Sequence, residues 1–80
     1  MKFKLLNRSY CHLCDDMLQA LRVWLQQNRP TLITAIEIVD VDEFPELIAQ
    51  WDEKVPVLFL EGRYVCHYFL DNAKLAELIP

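Results

Sequence analysis

The sequence predicts an α/β fold whose elements follow the order β-α-β-α-β-β-α. Short runs of β-branched and other apolar residues alternate with segments whose apolar residues recur at every third or fourth position. A Glu61-Gly62 turn signal separates the last two strand-like runs, which indicates a hairpin. The chain has 80 residues without a linker, repeat or low-complexity segment, so we expect residues 1–80 to form a single domain.

The first half of the chain is typical of a strand, a helix and a second strand. Residues 2–7 favour a strand that leads into a loop ending at the first cysteine. A helix is predicted from Leu13 to about Asn28, because the residue before Pro30 is pushed out of helical geometry. The apolar side of this helix carries Leu13, Met17, Ala20, Leu21, Trp24 and Leu25. Residues 33–40 are rich in β-branched side chains and are predicted to form a buried strand.

The second half is predicted to contain a short helix, a hairpin and a last helix. Asp42 is expected to cap the short helix, and Pro45 falls in its first turn, where a missing N–H costs little. Residues 57–60 and 63–66 are the predicted strands of the hairpin. Asp71 is the predicted cap of the last helix. The apolar sides of the two helices carry Phe44, Leu47, Ile48 and Trp51 in the first and Leu75, Ala76, Leu78 and Ile79 in the second.

Charge and composition exclude several classes of function. The net charge is −4 and the eight Lys and Arg residues are scattered, whereas binding to nucleic acid needs a basic stripe, so a neutral or basic partner fits better. Near the start of the chain, the uninterrupted apolar stretch is only Leu5-Leu6, which is too short for a signal peptide or a membrane span. We therefore expect a cytoplasmic protein that binds neither nucleic acid nor membrane.

Cys11 and Cys14 form a C-x-x-C motif at the start of the first helix. Disulfide oxidoreductases, zinc sites and cluster proteins share this motif, and in a reducing compartment a close pair is more often catalytic or metal-binding than structural. A cysteine before a helix lies where unpaired N–H groups stabilise a thiolate, so Cys11 is the expected nucleophile and Cys14 the resolving thiol. A charged His12 would favour the thiolate, whereas Asp15 and Asp16 would oppose it.

The other candidate residues allow more than one interpretation. Cys66 is expected to be a small buried residue of the last strand, with an auxiliary thiol as the alternative. His67 is expected to face solvent or to be capped rather than to act as a ligand, and both tryptophans are expected in the core. Tyr10 would either cover the site and contact substrate or pack against the first helix. A metal or iron-sulfur carrier that uses Cys11 and Cys14, with or without Cys66 and His67, stays open as an alternative to redox chemistry.

Three segments of the chain resemble the thioredoxin superfamily, and within it the small glutaredoxin-like proteins. They are "YCHLC" at the active-site position, "IEIVDVDEFPELIAQW" as second strand and helix, and "KVPVLFLEGRYV" as the proline loop and hairpin. The resemblance implies a thioredoxin-like fold, in which a four-stranded mixed sheet is flanked by three helices, and a thiol-disulfide oxidoreductase. It also implies that the Val55-Pro56 bond is cis, that Pro56 stands opposite the cysteine pair, and that the Val55 backbone meets an extended substrate.

The sequence departs from glutaredoxins where they bind glutathione. Their glycine pair after the last strand is replaced by "VCHYFLD", and their proline-tyrosine pair between the cysteines is replaced by His12-Leu13. Arg8 stands where such proteins often have a lysine near the glutathione carboxylate, and Asp71 could supply an acidic contact. We expect no tightly bound cofactor, weak glutathione binding, a dithiol reductant, and protein or low-molecular-weight disulfides as substrates. A non-catalytic adaptor that keeps the fold is the remaining alternative.

Overall fold

A computed structural model describes residues 2–32 and 36–79, and it confirms the predicted order of elements. Within these residues, the strands and helices are β1 (Phe3–Asn7), α1 (His12–Asn28), β2 (Ile36–Asp40), α2 (Pro45–Trp51), β3 (Val57–Leu60), β4 (Arg63–His67) and α3 (Asn72–Leu78). Short 3-10 turns at Pro30–Leu32 and Val41–Glu43 follow α1 and β2. No helix in this part of the chain is long and apolar enough to cross a membrane.

The described strands form one four-stranded mixed sheet in the order β2-β1-β3-β4. β1 pairs with β2 in parallel, whereas β3 is antiparallel to both β1 and β4. One border of the sheet, which runs across the strand ends, therefore contains the ends of β1, β2 and β4 and the start of β3. We call this the dithiol edge, marked by Asn7, Asp40, His67 and Val57, because Cys11 follows β1 there.

Helices cover both faces of the sheet. Neighbouring residues of a strand point to opposite sides, so each face of the sheet carries apolar side chains that a helix can bury. Leu5 faces a core that α1 and α3 complete, and Leu6 faces a smaller cluster beside α2. The first core consists of Phe3, Leu5, Met17, Leu21, Leu25, Leu58, Leu60, Val65, Cys66, Leu75 and Ile79. The two tryptophans, which were predicted in the core, are half-buried at its margins: Trp24 packs against the first core and Trp51 against the second.

The prediction that the second strand is buried is wrong. β2 lies at the margin of the sheet and pairs only with β1, and Ile38 remains 45% exposed. A run of β-branched residues shows that a segment favours a strand, but not how many neighbours that strand has. The first part of the predicted strand, residues 33–35, lies outside the described residues.

The predicted cap of the second helix is also wrong, whereas that of the last helix is confirmed. Phe44 is the N-cap of α2 and supplies no side-chain hydrogen bond, while Asp40 caps the preceding 3-10 turn by accepting the Asp42 N–H at 2.9 Å. The Asp42 carboxylate binds Arg8 instead. At α3, the Asp71 carboxylate accepts the Lys74 N–H at 3.0 Å, as predicted.

Candidate active site

Cys11 is the N-cap residue of α1, and its sulfur lies against the start of that helix. The backbone is extended there, with φ −96° and ψ 106°, and the Cys14 N–H donates to Cys11 Sγ at 3.1 Å. The two cysteines are joined as a disulfide with Cα atoms 5.2 Å apart. Cys14 is 1% exposed, whereas Cys11 is only partly buried. Of the two cysteines, Cys11 is therefore the more accessible to solvent.

Tyr10 and His12 flank Cys11 and both face solvent. Tyr10 is fully exposed and has a positive φ of 60°, which is uncommon for a residue with a bulky side chain. Its exposure leaves no packing against α1, so this alternative for Tyr10 is not realised. His12 is the first residue of α1 and lies beside the sulfur in sequence.

Arg8 binds two carboxylates from other elements. Its guanidinium donates to Asp42 Oδ1 at 3.0 Å and Oδ2 at 3.1 Å, and to Asp52 Oδ1 at 2.5 Å. These hydrogen bonds, with Asp42 first and Asp52 second, raise the pKa of Arg8 above its usual value. The Arg8 charge is thus engaged within the protein, and it ties the end of β1 to the segments on both sides of α2.

The loop before β3 lies at the dithiol edge. The Val55-Pro56 peptide bond is cis, which confirms that prediction. Pro56 is buried and Val55 is half-buried. β1 and β3 are neighbouring strands, and Cys11 follows the end of β1 while this loop precedes the start of β3 at the same end of the sheet.

Cys66 is buried on the face that packs against α1 and α3, as predicted. Burial raises the pKa of the Cys66 thiol, and a hydrogen bond from the Asp71 backbone lowers it in part. His67 is half-buried, and its Nδ1 binds the Tyr64 hydroxyl. In the described part of the chain, no three or more His, Cys, Asp or Glu side chains are grouped to hold a metal. Cys66 and His67 thus form no such group with the cysteine pair there.

Tyr68, which the sequence did not single out as a site residue, anchors the loop before β3. Its N–H donates to the Pro56 carbonyl at 2.9 Å and its hydroxyl to the Glu53 carbonyl at 2.5 Å. Phe69 beside it is 70% exposed. In the sequence, Tyr68 and Phe69 follow Cys66 and His67, which stand where glutaredoxins have their glycine pair, but this pattern gave no indication of the contact with Glu53.

A family model for the glutaredoxin-like domain (DUF836) matches residues 2–80 of the chain. The chain belongs to the glutaredoxin-like domain family. This confirms the resemblance seen in the sequence. No curated protein matches the chain.

Solved structures agree with this assignment. The glutaredoxin-like chain is similar to a protein of Nitrosomonas europaea solved by NMR, with 31% identity, a TM-score of 0.84, and coverage of 99% of this chain and 91% of that one. A structural genomics target protein from X. campestris shares 27% identity with a TM-score of 0.72, over 98% of this chain and 99% of that one.

Thioredoxin 1 from Thermosipho africanus TCF52B confirms the fold. It is 18% identical with a TM-score of 0.60, over 99% of the glutaredoxin-like chain and 94% of thioredoxin 1. At this identity the likeness concerns the fold alone. The glutaredoxin-like protein thus has a thioredoxin-like fold with a pair of cysteines close together at the start of α1, an arrangement that supports a redox role.

Proposed function

We propose that this protein is a thiol-disulfide oxidoreductase in which Cys11 attacks and Cys14 resolves. The observation that carries the proposal is the position of Cys11 Sγ, which accepts the Cys14 N–H at the N-terminus of α1. In the reduced protein, the same N–H and the helix dipole favour the thiolate of Cys11. The contrast in exposure between the two cysteine residues supports the assignment of their roles.

The reaction transfers two electrons from the protein dithiol to a substrate disulfide. The Cys11 thiolate attacks one substrate sulfur, the substrate S–S bond breaks, and the departing thiolate takes a proton from solvent. Cys14 then loses its proton and attacks Cys11 Sγ, which releases the second substrate thiol and closes the Cys11–Cys14 disulfide. A dithiol reductant restores both thiols and is itself oxidised to a disulfide.

Substitution of each cysteine tests this assignment. Cys11→Ser should abolish the dithiol-dependent reduction of insulin disulfides, because no sulfur remains to attack. Cys14→Ser should instead accumulate a mixed disulfide between Cys11 and the substrate, detectable by mass spectrometry without reductant. Cys66→Ser is the matched control, since it removes a thiol away from the proposed reaction. Full activity of Cys11→Ser would show that the roles are wrongly assigned.

We further propose that a dithiol or a protein partner, and not glutathione, reduces the active site. Glutathione recognition needs cations for its carboxylates, and the guanidinium of Arg8 already binds Asp42 and Asp52. Cys66 and His67 stand where glutaredoxins have glycines that allow close backbone approach, and the bulky Tyr68 and Phe69 follow them. A reducing compartment such as the cytoplasm would keep the cysteine pair available for turnover.

A further inference from the structure

We infer that Tyr68 is a positioning residue that fixes the loop before β3 for the docking of a protein disulfide. This inference rests on the proposed oxidoreductase function and concerns how its substrate is held. Tyr68 lies in the loop between β4 and α3 and reaches the segment Glu53 to Pro56 with two separate groups. No other residue described here donates hydrogen bonds to both ends of that segment.

The backbone of Tyr68 is held in a sparsely populated conformation. Its φ is 64°, and the Phe69 N–H donates to the His67 carbonyl at 2.7 Å, which closes a three-residue γ-turn around Tyr68. A bulky residue is uncommon in this region, where glycine is the usual choice. The turn itself does not favour a tyrosine, whereas the contact of the tyrosine hydroxyl with the Glu53 carbonyl does.

The two hydrogen bonds hold opposite ends of one short segment. The Tyr68 N–H donates to the Pro56 carbonyl at 2.9 Å, one residue beyond the β3–β4 pair of Val57 and His67. The Tyr68 hydroxyl donates to the Glu53 carbonyl at 2.5 Å, three residues earlier in the chain. The segment between these anchors is thereby fixed relative to β4.

Val55 lies between the two anchors and is half-buried. In the part of the chain that the structure describes, no hydrogen bond engages the Val55 N–H or carbonyl. An extended substrate segment could pair with these groups as an added strand. Because this pairing depends on a fixed loop, loss of the Tyr68 hydroxyl should weaken docking of a protein disulfide more than it slows the exchange reaction.

Tyr68→Phe tests the inference, with Tyr64→Phe as a matched control. Both tyrosines are 39% exposed and both rings contact His67, but the Tyr64 hydroxyl binds His67 and not the loop. Tyr68→Phe should raise KM for insulin about three- to tenfold, the effect of one lost hydrogen bond, with little change in kcat. Reduction of bis(2-hydroxyethyl) disulfide, too small to span the loop, should be unchanged, as should both activities of Tyr64→Phe.

Hydrogen exchange supplies a readout that does not depend on activity. Lys54 lies in the anchored segment, and its N–H donates to the carbonyl of Trp51, which precedes the segment, at 2.8 Å. Its exchange should accelerate several-fold in Tyr68→Phe and in Tyr68→Gly, which tolerates the turn but lacks the hydroxyl. Equal KM values and equal exchange in Tyr68→Phe and wild type would overturn the role of Tyr68. A wild-type protein that reduces neither disulfide would overturn the proposed function, and the docking role with it.

Discussion

Reduction of the Cys11–Cys14 disulfide should lower the free energy of unfolding of this protein. The bridge joins cysteines at a sequence separation of 3. For a loop of that size, the chain-entropy relation gives about 5.4 cal/mol/K of entropy removed from the unfolded chain, or about 1.6 kcal/mol at 25 °C. This contribution favours the folded oxidised form and disappears when the bridge is reduced.

The helix start acts in the opposite direction, because it stabilises the reduced folded form. There the Cys14 N–H and the helix dipole favour a Cys11 thiolate, with an effect of about 0.3–1 kcal/mol. Subtracting this thiolate effect from the chain-entropy contribution leaves the free energy of unfolding of the oxidised form higher by about 0.6–1.3 kcal/mol. Since about 1 kcal/mol shifts Tm by roughly 4–8 °C in a domain of this size, reduction should lower Tm by roughly 2–10 °C.

Urea unfolding followed by circular dichroism, with and without a phosphine reductant at pH 7, measures this difference. The double variant Cys11→Ala, Cys14→Ala is the control, because it keeps Cys66 and cannot respond to the reductant through the bridge. A reduced form as stable as the oxidised form, or more stable, would refute the reasoning. Thiolate stabilisation would then outweigh chain entropy, and the protein would be better suited to oxidise its partners than to reduce them.

Two further predictions concern the residues around the dithiol. In wild type, turnover driven by glutathione and glutathione reductase should be low compared with turnover driven by dithiothreitol. Arg8→Ala should leave this ratio unchanged, because Asp42 and Asp52 already hold the guanidinium. Efficient glutathione-driven turnover in wild type that collapses in Arg8→Ala would contradict this prediction. In the reduced native protein at pH 7, iodoacetamide should modify Cys11 and spare Cys66, because burial blocks access to Cys66 and raises the pKa of its thiol. Peptide mass spectrometry measures both rates, and comparable rates would show that Cys66 is accessible.

The order of elements was predictable because each element carries a local signal. The apolar spacing of α1, the turn at Glu61-Gly62 and the cap at Asp71 all depend on residues a few positions apart. The prediction of the second helix cap was wrong because two neighbouring residues carried the same local signal. Asp40 and Asp42 are both suitable caps near the start of α2, and the chain uses the first for the 3-10 turn and the second for Arg8.

Within the candidate site, the cysteine pair was predictable and the groups around it were not. The C-x-x-C spacing and the N-cap position can be read along one short segment. The contacts of Arg8 join residues 34 and 44 positions apart, and that of the Tyr68 hydroxyl joins residues 15 positions apart. Such pairs are brought together only by the sheet order, and no periodicity in the sequence encodes which carboxylate or carbonyl is reached.

In the proposed reaction, different groups of the site would control the reactivity of Cys11 and the choice of partner. The Cys11 sulfur accepts the Cys14 N–H at 3.1 Å, and this uncharged amide would stabilise a thiolate there. Asp15 lies in the first turn of the same helix, and two carboxylates share Arg8. We expect these carboxylates to repel glutathione, which has two carboxylates and one ammonium group, more than a neutral or basic protein segment. The proposed selection against glutathione would then need no loss of thiolate reactivity, because the amide acts on the Cys11 sulfur and the carboxylates act on the partner.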